Sequence, residues 1–314
     1  MPFQLEGNWD NGNGGIFTSA SGTVTFNGSG AQTVTTGGVG TGNDFNNVTI
    51  TNTAGSPGDA ADVETSGAIK VNGTLDLTDG QFMPATSSDF VNVTLSASAG
   101  ILKPASGSSI TVSGTWNNSG ASSGSFNGNS GTVSFDAGGA QSLTSGGISF
   151  YNLSTATPST DLTIQDALVI TNDLTIAGST TLDAGSNRSI SVAGNWSNSG
   201  TFTSASGTVT FNGSGAQTIS GTNTFYDLTI NNSHGSSKVS ANGSSLTVQD
   251  ELLVSNGIFE SASDYDDVTI SAGATLELTG NITVSGDWSN SGTFTPSTNT
   301  VTFDGSGAQS ITSV

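Results

Sequence analysis

The sequence contains no cysteine and only four cations in 314 residues, and these two absences remove much chemistry at the outset. Without cysteine there are no disulfides, thiolate metal sites or cysteine nucleophiles. Lys70, Lys103, Arg188 and Lys238 stand singly, so no basic stripe exists to neutralise phosphates, and a formal charge of −20 repels nucleic acid and anionic membranes alike. No apolar run approaches the length of a membrane span. The opening Met1-Pro2-Phe3-Gln4-Leu5-Glu6 has neither a basic nor an apolar leader region. Neither membrane insertion nor a signal peptide is therefore expected in this chain. Helical periodicity and helix caps are missing throughout. Charged residues make up 9% of the sequence, against roughly 25% in an ordinary soluble domain, which is unlike the composition of an α/β enzyme.

What is present is glycine, serine, threonine and asparagine, with aromatic residues placed in phase with a repeat. All four tryptophans fall in one motif, Gly7-Asn8-Trp9, Gly114-Thr115-Trp116, Gly194-Asn195-Trp196 and Gly286-Asp287-Trp288. A second anchor follows each, running from Phe26 to Gln32, Phe135 to Gln141, Phe211 to Gln217 and Phe303 to Gln309. A third begins at Phe45, Phe150 and Phe225 in three of the four modules. The stretch Phe17 to Thr33 is identical, letter for letter, to Phe202 to Thr218, so the chain carries an internal duplication.

Within the modules, short alternating segments such as Thr23-Val24-Thr25-Phe26, Val48-Thr49-Ile50 and Ile110-Thr111-Val112 recur about every 20 residues, separated by turn residues. The tryptophan spacings of 107, 80 and 92 residues are too uneven for propeller blades of about 40 to 50 residues. A solenoid tolerates them, because each coil touches only its neighbours. The expected fold is all-β, a right-handed parallel β-helix of about 15 coils of roughly 20 residues, on the order of 70 Å long. The expected domain organisation is one continuous solenoid over residues 1–314, with three full modules and one partial module opened by Trp9, Trp116, Trp196 and Trp288. Alternation points Val24 and Phe26 inward and Thr23 and Thr25 outward. Tryptophan is expected to close a corner where glycine lets the backbone bend. Pairs such as Asn27-Gly28 and Asn72-Gly73 are turn formers, and stacked asparagines are expected to ladder hydrogen bonds along the coils.

The string from Ile282 to Phe294, followed by Thr300-Val301-Thr302-Phe303 and Gly307-Ala308-Gln309, resembles the repeats of large bacterial secreted surface proteins. Those are adhesin-like or matrix-like β-solenoids, similar in style to autotransporter passengers and filamentous-haemagglutinin-type adhesins. The resemblance implies an extracellular, non-enzymatic rod, and its motifs specify no ligand.

Parallel β-helices also carry polysaccharide-active enzymes, so catalysis has to be tested on residues. The single histidine, His234, lies in the polar turn Asn232-Ser233-His234-Gly235 and reads as a solvated turn residue. Arg188 has only Asp183 near it in sequence, and no strained nucleophile elbow singles out a serine. Two acidic clusters remain, Asp59 with Asp62 and Glu64, and Asp264, Asp266 and Asp267 around Tyr265. Neither follows a known calcium-loop pattern, so solvated loops are expected, with calcium as the alternative. The Thr-x-Thr pairs Thr23/Thr25, Thr208/Thr210 and Thr300/Thr302 would form a flat array only on successive coils, and the segments expected beside them carry Lys70, Leu95 or Ser113. No catalytic, cofactor-binding or metal residue is assigned, and no cofactor is expected.

The functional expectation is a non-enzymatic extracellular structural protein that assembles head to tail with copies of itself into a filament or matrix fibre. An adhesin stalk that binds glycans or a cell surface is the alternative, and a polysaccharide-active enzyme a further one. Head-to-tail stacking is expected because the sequence opens and closes on strands of the repeat with no capping segment.

Overall fold

A computed structural model describes residues 3–40, 42–54, 62–119, 126–156 and 159–313. The chain is an all-β parallel β-solenoid of about 14 turns of about 21 residues, with no helix among the described residues. It divides into two compact units, Met1–Leu162 and Thr163–Val314.

In the first unit, period-two alternation becomes stacked columns. Val24 pairs in register with Val48, Val48 with Leu75, Leu75 with Val93, Val93 with Trp116 and Trp116 with Leu143. These side chains point inward, and all six are buried. One residue further on, Thr25, Thr49, Asp76, Thr94, Asn117 and Thr144 form the matching outward column. A register slip by one residue would exchange the two columns, so the hydrophobic pattern fixes the pairing.

The second unit repeats the design. Ile170, Val192, Phe211, Ile230, Val254 and Ile270 stack in register on one inward column, and Leu174, Trp196 and Ile219 on another. All nine are buried.

The strands are not uniformly short. Lys70–Met83 and Ser88–Leu102 run 14 and 15 residues, because two coils of nearly equal length stay paired around their corners. Register shifts between Val71 and Thr74 and between Leu77 and Asp79 absorb the mismatch.

The tryptophans are core residues. Trp116 and Trp196 are wholly buried and Trp288 nearly so, while Trp9 is half-buried. Each packs edge-on against the phenylalanine that follows it in sequence: Phe17, Phe126, Phe202 and Phe294 lie at 4.7, 4.8, 4.8 and 4.8 Å between ring centroids. Three of them meet a second phenylalanine, Phe45, Phe150 or Phe225, at 5.3 Å in every case.

Candidate functional site

Three kinds of coil can be told apart by how their polar side chains bind the neighbouring coil. A Trp coil carries Gly-x-Trp. A Gln coil carries the Phe-to-Gln anchor. An Asn coil carries Phe, then Asn or Asp two residues later, as in Phe45/Asn47, Phe150/Asn152 and Phe225/Asp227.

The glutamine ties the Gln coil down onto the Trp coil. Gln217 Nε2 donates to the carbonyls of Val192 and Gly194 at 2.9 and 2.7 Å, and its Oε1 accepts from the N–H of Gly213 at 3.0 Å. Gln32, Gln141 and Gln309 make the equivalent three bonds. These amides bond corner backbone groups, one of which in each case, such as the Val192 carbonyl, also accepts an N–H of the next coil.

The Asn and Asp side chains tie coils along a corner in the same way. Asp173 Oδ1 accepts the N–H of Asn195 at 2.7 Å, and Asn195 Oδ1 accepts the N–H of Thr218 at 2.9 Å. Asp267 accepts from Asp287, and Asp287 from Ser310, at 2.6 and 2.8 Å. Asn92 and Asn47 accept the N–H of Thr115 and Thr74, both at 2.9 Å. The expected asparagine ladder thus runs from side chain to the next coil's backbone.

The same ladder explains the glycine of Gly-x-Trp. A Cβ on Gly194 would lie 2.4 Å from the Asn172 carbonyl oxygen and 2.5 Å from Asp173 Oδ1, and one on Gly114 2.5 Å from Asn92 Oδ1. Glycine is needed there for close approach, while the same position at Gly7 has nothing within 4 Å.

The residues singled out as chemical candidates divide between such ties, bonds within their own turn and open solvent. His234 is exposed, and its Nδ1 accepts the N–H of Ser237 at 3.0 Å. Asp183 accepts the N–H of Gly185, and Arg188 is exposed in the same turn. Asp59 lies outside the described residues. Asp62 is buried and accepts the N–H of Gln81 at 2.6 Å, whereas Glu64 is exposed, so these two do not converge. Lys238 pairs with Glu260 at 3.0 Å and Glu277 at 2.6 Å. These partners raise the Lys238 pKa, and Lys238, with help from Ser240, lowers that of Glu260.

The second acidic cluster borders an open groove. Asp264 accepts from the Thr283 hydroxyl at 2.6 Å and Asp266 from Ser285 at 2.7 Å. Together with Thr247, Gln249 and Asp304 they line a hollow of about 370 Å³. Tyr265 points into the core, where burial pushes its pKa up to about 12, and its hydroxyl donates to Ser261 Oγ at 2.8 Å. Among the described residues, no group of three or more acidic or histidine side chains is placed to hold a metal ion. Nor is any helix there long and apolar enough to cross a membrane.

The Thr-x-Thr pairs differ from expectation. Thr23 and Thr25 stand beside Asn47 and Thr49, then Thr74 and Asp76, then Asn92 and Thr94. Lys70 instead pairs with Asp89, and Leu95 points inward. Coil lengths are uneven, so counting twenty residues along the chain lands on a different face.

The Gln coils and the Asn ladder are the structural use of anchors visible in the sequence, yet the sequence did not show which backbone groups they serve. That signal lay in the return of a glutamine 21 to 25 residues after each tryptophan. Comparison with known proteins adds no family: no family model, curated protein or solved structure matches the chain.

Proposed function

We propose that the chain is a non-enzymatic structural protein of the extracellular surface, whose task is to supply a stiff stack of coils joined to further coils at their faces. The observation that carries this reading is the use of the polar side chains. Glutamine, aspartate, asparagine and lysine, residues from which a site would be built, hold backbone and side chains of adjacent turns, and His234 accepts an N–H within its own turn. The polar, acidic, cation-poor exterior fits a secreted surface protein similar in style to bacterial adhesin and matrix repeats. Negative-stain microscopy of the purified protein, together with hydrolase and lyase assays on polysaccharides, tests it. Discrete or joined particles without turnover are expected, and turnover that is lost in a folded His234→Ala or Asp266→Asn variant would overturn it.

The groove beside Asp264 and Asp266 favours one second reading, an adhesin stalk that binds glycans. Its lining combines carboxylates, hydroxyls and an amide without a cation, which suits a neutral, hydroxyl-rich ligand. Binding on a panel of neutral oligosaccharides that weakens in Asp266→Asn would select it.

A further inference from the structure

Thr23 and Thr25 belong to a polar pattern whose hydroxyls do not tie coils together. In the first unit the outward column that begins at Thr25 runs through Thr49, Asp76, Thr94, Asn117 and Thr144, paired in register over successive coils. Two residues earlier in each strand, a second column runs beside it from Thr23 through Asn47, Thr74 and Asn92 to Thr115 and Ser142. The register shifts of these coils fall before Thr74 and after Ile50 or Leu77, so the two columns stay in step.

Thr23, Thr25, Thr49, Thr74, Thr94 and Thr144 are half-buried, and their hydroxyls have no hydrogen-bond partner among the described residues. A β-branched side chain has few χ1 choices, so each hydroxyl and its methyl keep one orientation at little entropic cost. Stacked strands lie about 4.8 Å apart and residues two apart along a strand about 6.6 Å, so the array is a two-column lattice about 24 Å long. Its one charged side chain is Asp76, in a protein of formal charge −20, and that carboxylate accepts from the Ser96 hydroxyl at 2.6 Å. Its remaining positions are threonine, asparagine and serine, while the rings of the same coils, Phe26, Phe90 and Trp116, are buried. The outward columns of the second unit differ. Beside Thr210, Thr229 and Thr269, the column two residues earlier carries Asp227, Glu251 and Asp267.

We propose that this face of the first unit binds crystalline ice. An ice surface is a neutral, rigid lattice of water oxygens whose spacings lie near those of the array in both directions. Hydroxyls and amides held in register can join its hydrogen bonding, and the threonine methyls fit the hollows between its oxygens. A charged face would have to shed its hydration on contact, which sets the column of Asp227, Glu251 and Asp267 apart. A sugar polymer fits less well, because the face offers no aromatic ring for it to stack against. The proposal goes beyond the structural reading above and does not depend on it.

The test uses the full chain. Ice growth is followed in a nanolitre osmometer and read as thermal hysteresis and crystal shape. The parent protein is expected to hold crystals faceted and unchanged in size below the melting point. Thr49→Tyr and Thr94→Tyr place a ring on the array that lifts it from the lattice, and each is expected to cut hysteresis about tenfold. Asp76→Thr should raise it, and Thr210→Tyr on the second unit should leave it unchanged, with urea unfolding curves to establish that each variant is folded. Freely growing, unfaceted crystals in the presence of the parent protein would overturn the proposal. So would hysteresis that survives in both folded tyrosine variants of the array, or that falls equally in Thr210→Tyr. Cosedimentation with crystalline cellulose or chitin that Thr49→Tyr abolishes, without any effect on ice, would overturn it in favour of a polysaccharide surface. Failure here leaves the structural reading intact.

Discussion

Removing the corner amide at Gln217 tests the physical account most directly. The side chain is buried at 1% exposure and makes four bonds, to the Val192 and Gly194 carbonyls, the Gly213 N–H and Asn232 Nδ2. In Gln217→Ala the Val192 carbonyl keeps the N–H of Asn212, and Asn232 keeps the Gly215 carbonyl. The buried Gly213 N–H and the half-buried Gly194 carbonyl are left without the amide. At about 1–3 kcal/mol for the buried group and less for the carbonyl that water can reach, the local loss is about 1–4 kcal/mol. Solenoids open coil by coil, so native-state hydrogen exchange in Val209–Phe211 and Ile190–Val192 is a better measure than one global midpoint. Gln217→Glu sharpens the test. Its carboxylate can still accept from Gly213, but the second oxygen faces two carbonyls with no proton between them. Its folded pKa is therefore raised above the unfolded value, and stability lost at neutral pH should return as pH falls and the acid donates in place of the amide. Exchange rates within twofold of the parent protein in Gln217→Ala, or a Gln217→Glu variant insensitive to pH, would refute the clamp.

Gly194→Ala should destabilise the Trp coil strongly, because its Cβ meets a carbonyl at 2.4 Å, whereas Gly7→Ala should change little; paired urea unfolding curves separate the two. Asn223→Ala removes the acceptor that Trp196 Nε1 uses at 2.7 Å and should cost about 1–3 kcal/mol, with an upfield shift of the Trp196 indole N–H resonance as the local readout. Lys238→Met should weaken the acid dependence of stability. Glu260 has its pKa lowered by Lys238, so that contribution is present above the unfolded carboxyl pKa and is lost as pH falls through the folded one; a pH series of melting temperatures that is unchanged in the variant would discount the pair.

The fold was legible because period-two alternation, returning at intervals that average about 21 residues, is enforced at every turn by the need to bury Val24, Val48, Leu75 and their successors in one column. The tryptophans and glutamines were legible as anchors for the same reason. The neighbours of Thr25 were not, since adjacency around a coil depends on corner lengths, and corners such as Val71 to Thr74 absorb extra residues through bulges that leave no mark in the alternation. The roles of Gln217 and Asp173 were also hidden. A polar residue near a turn looks the same whether it faces water or the backbone of the next coil, and only the stacking decides. The groove at Asp266 was half-visible, as an acidic cluster whose opening depends on where Thr247 and Ser285 fall on neighbouring turns.

The identical stretches Phe17–Thr33 and Phe202–Thr218 both run from the residue that packs on a tryptophan into the following Gln coil. They therefore begin and end at equivalent points of the coil order. Unequal genetic exchange between them would remove or add the 185 residues that separate position 17 from position 202, and the new junction would still set a Gln coil on a Trp coil with every corner tie in place. Such a gene can change the length of its product in one step without creating an untested interface, so lineages carrying it should differ in the number of coils far more readily than in the sequence of any one of them.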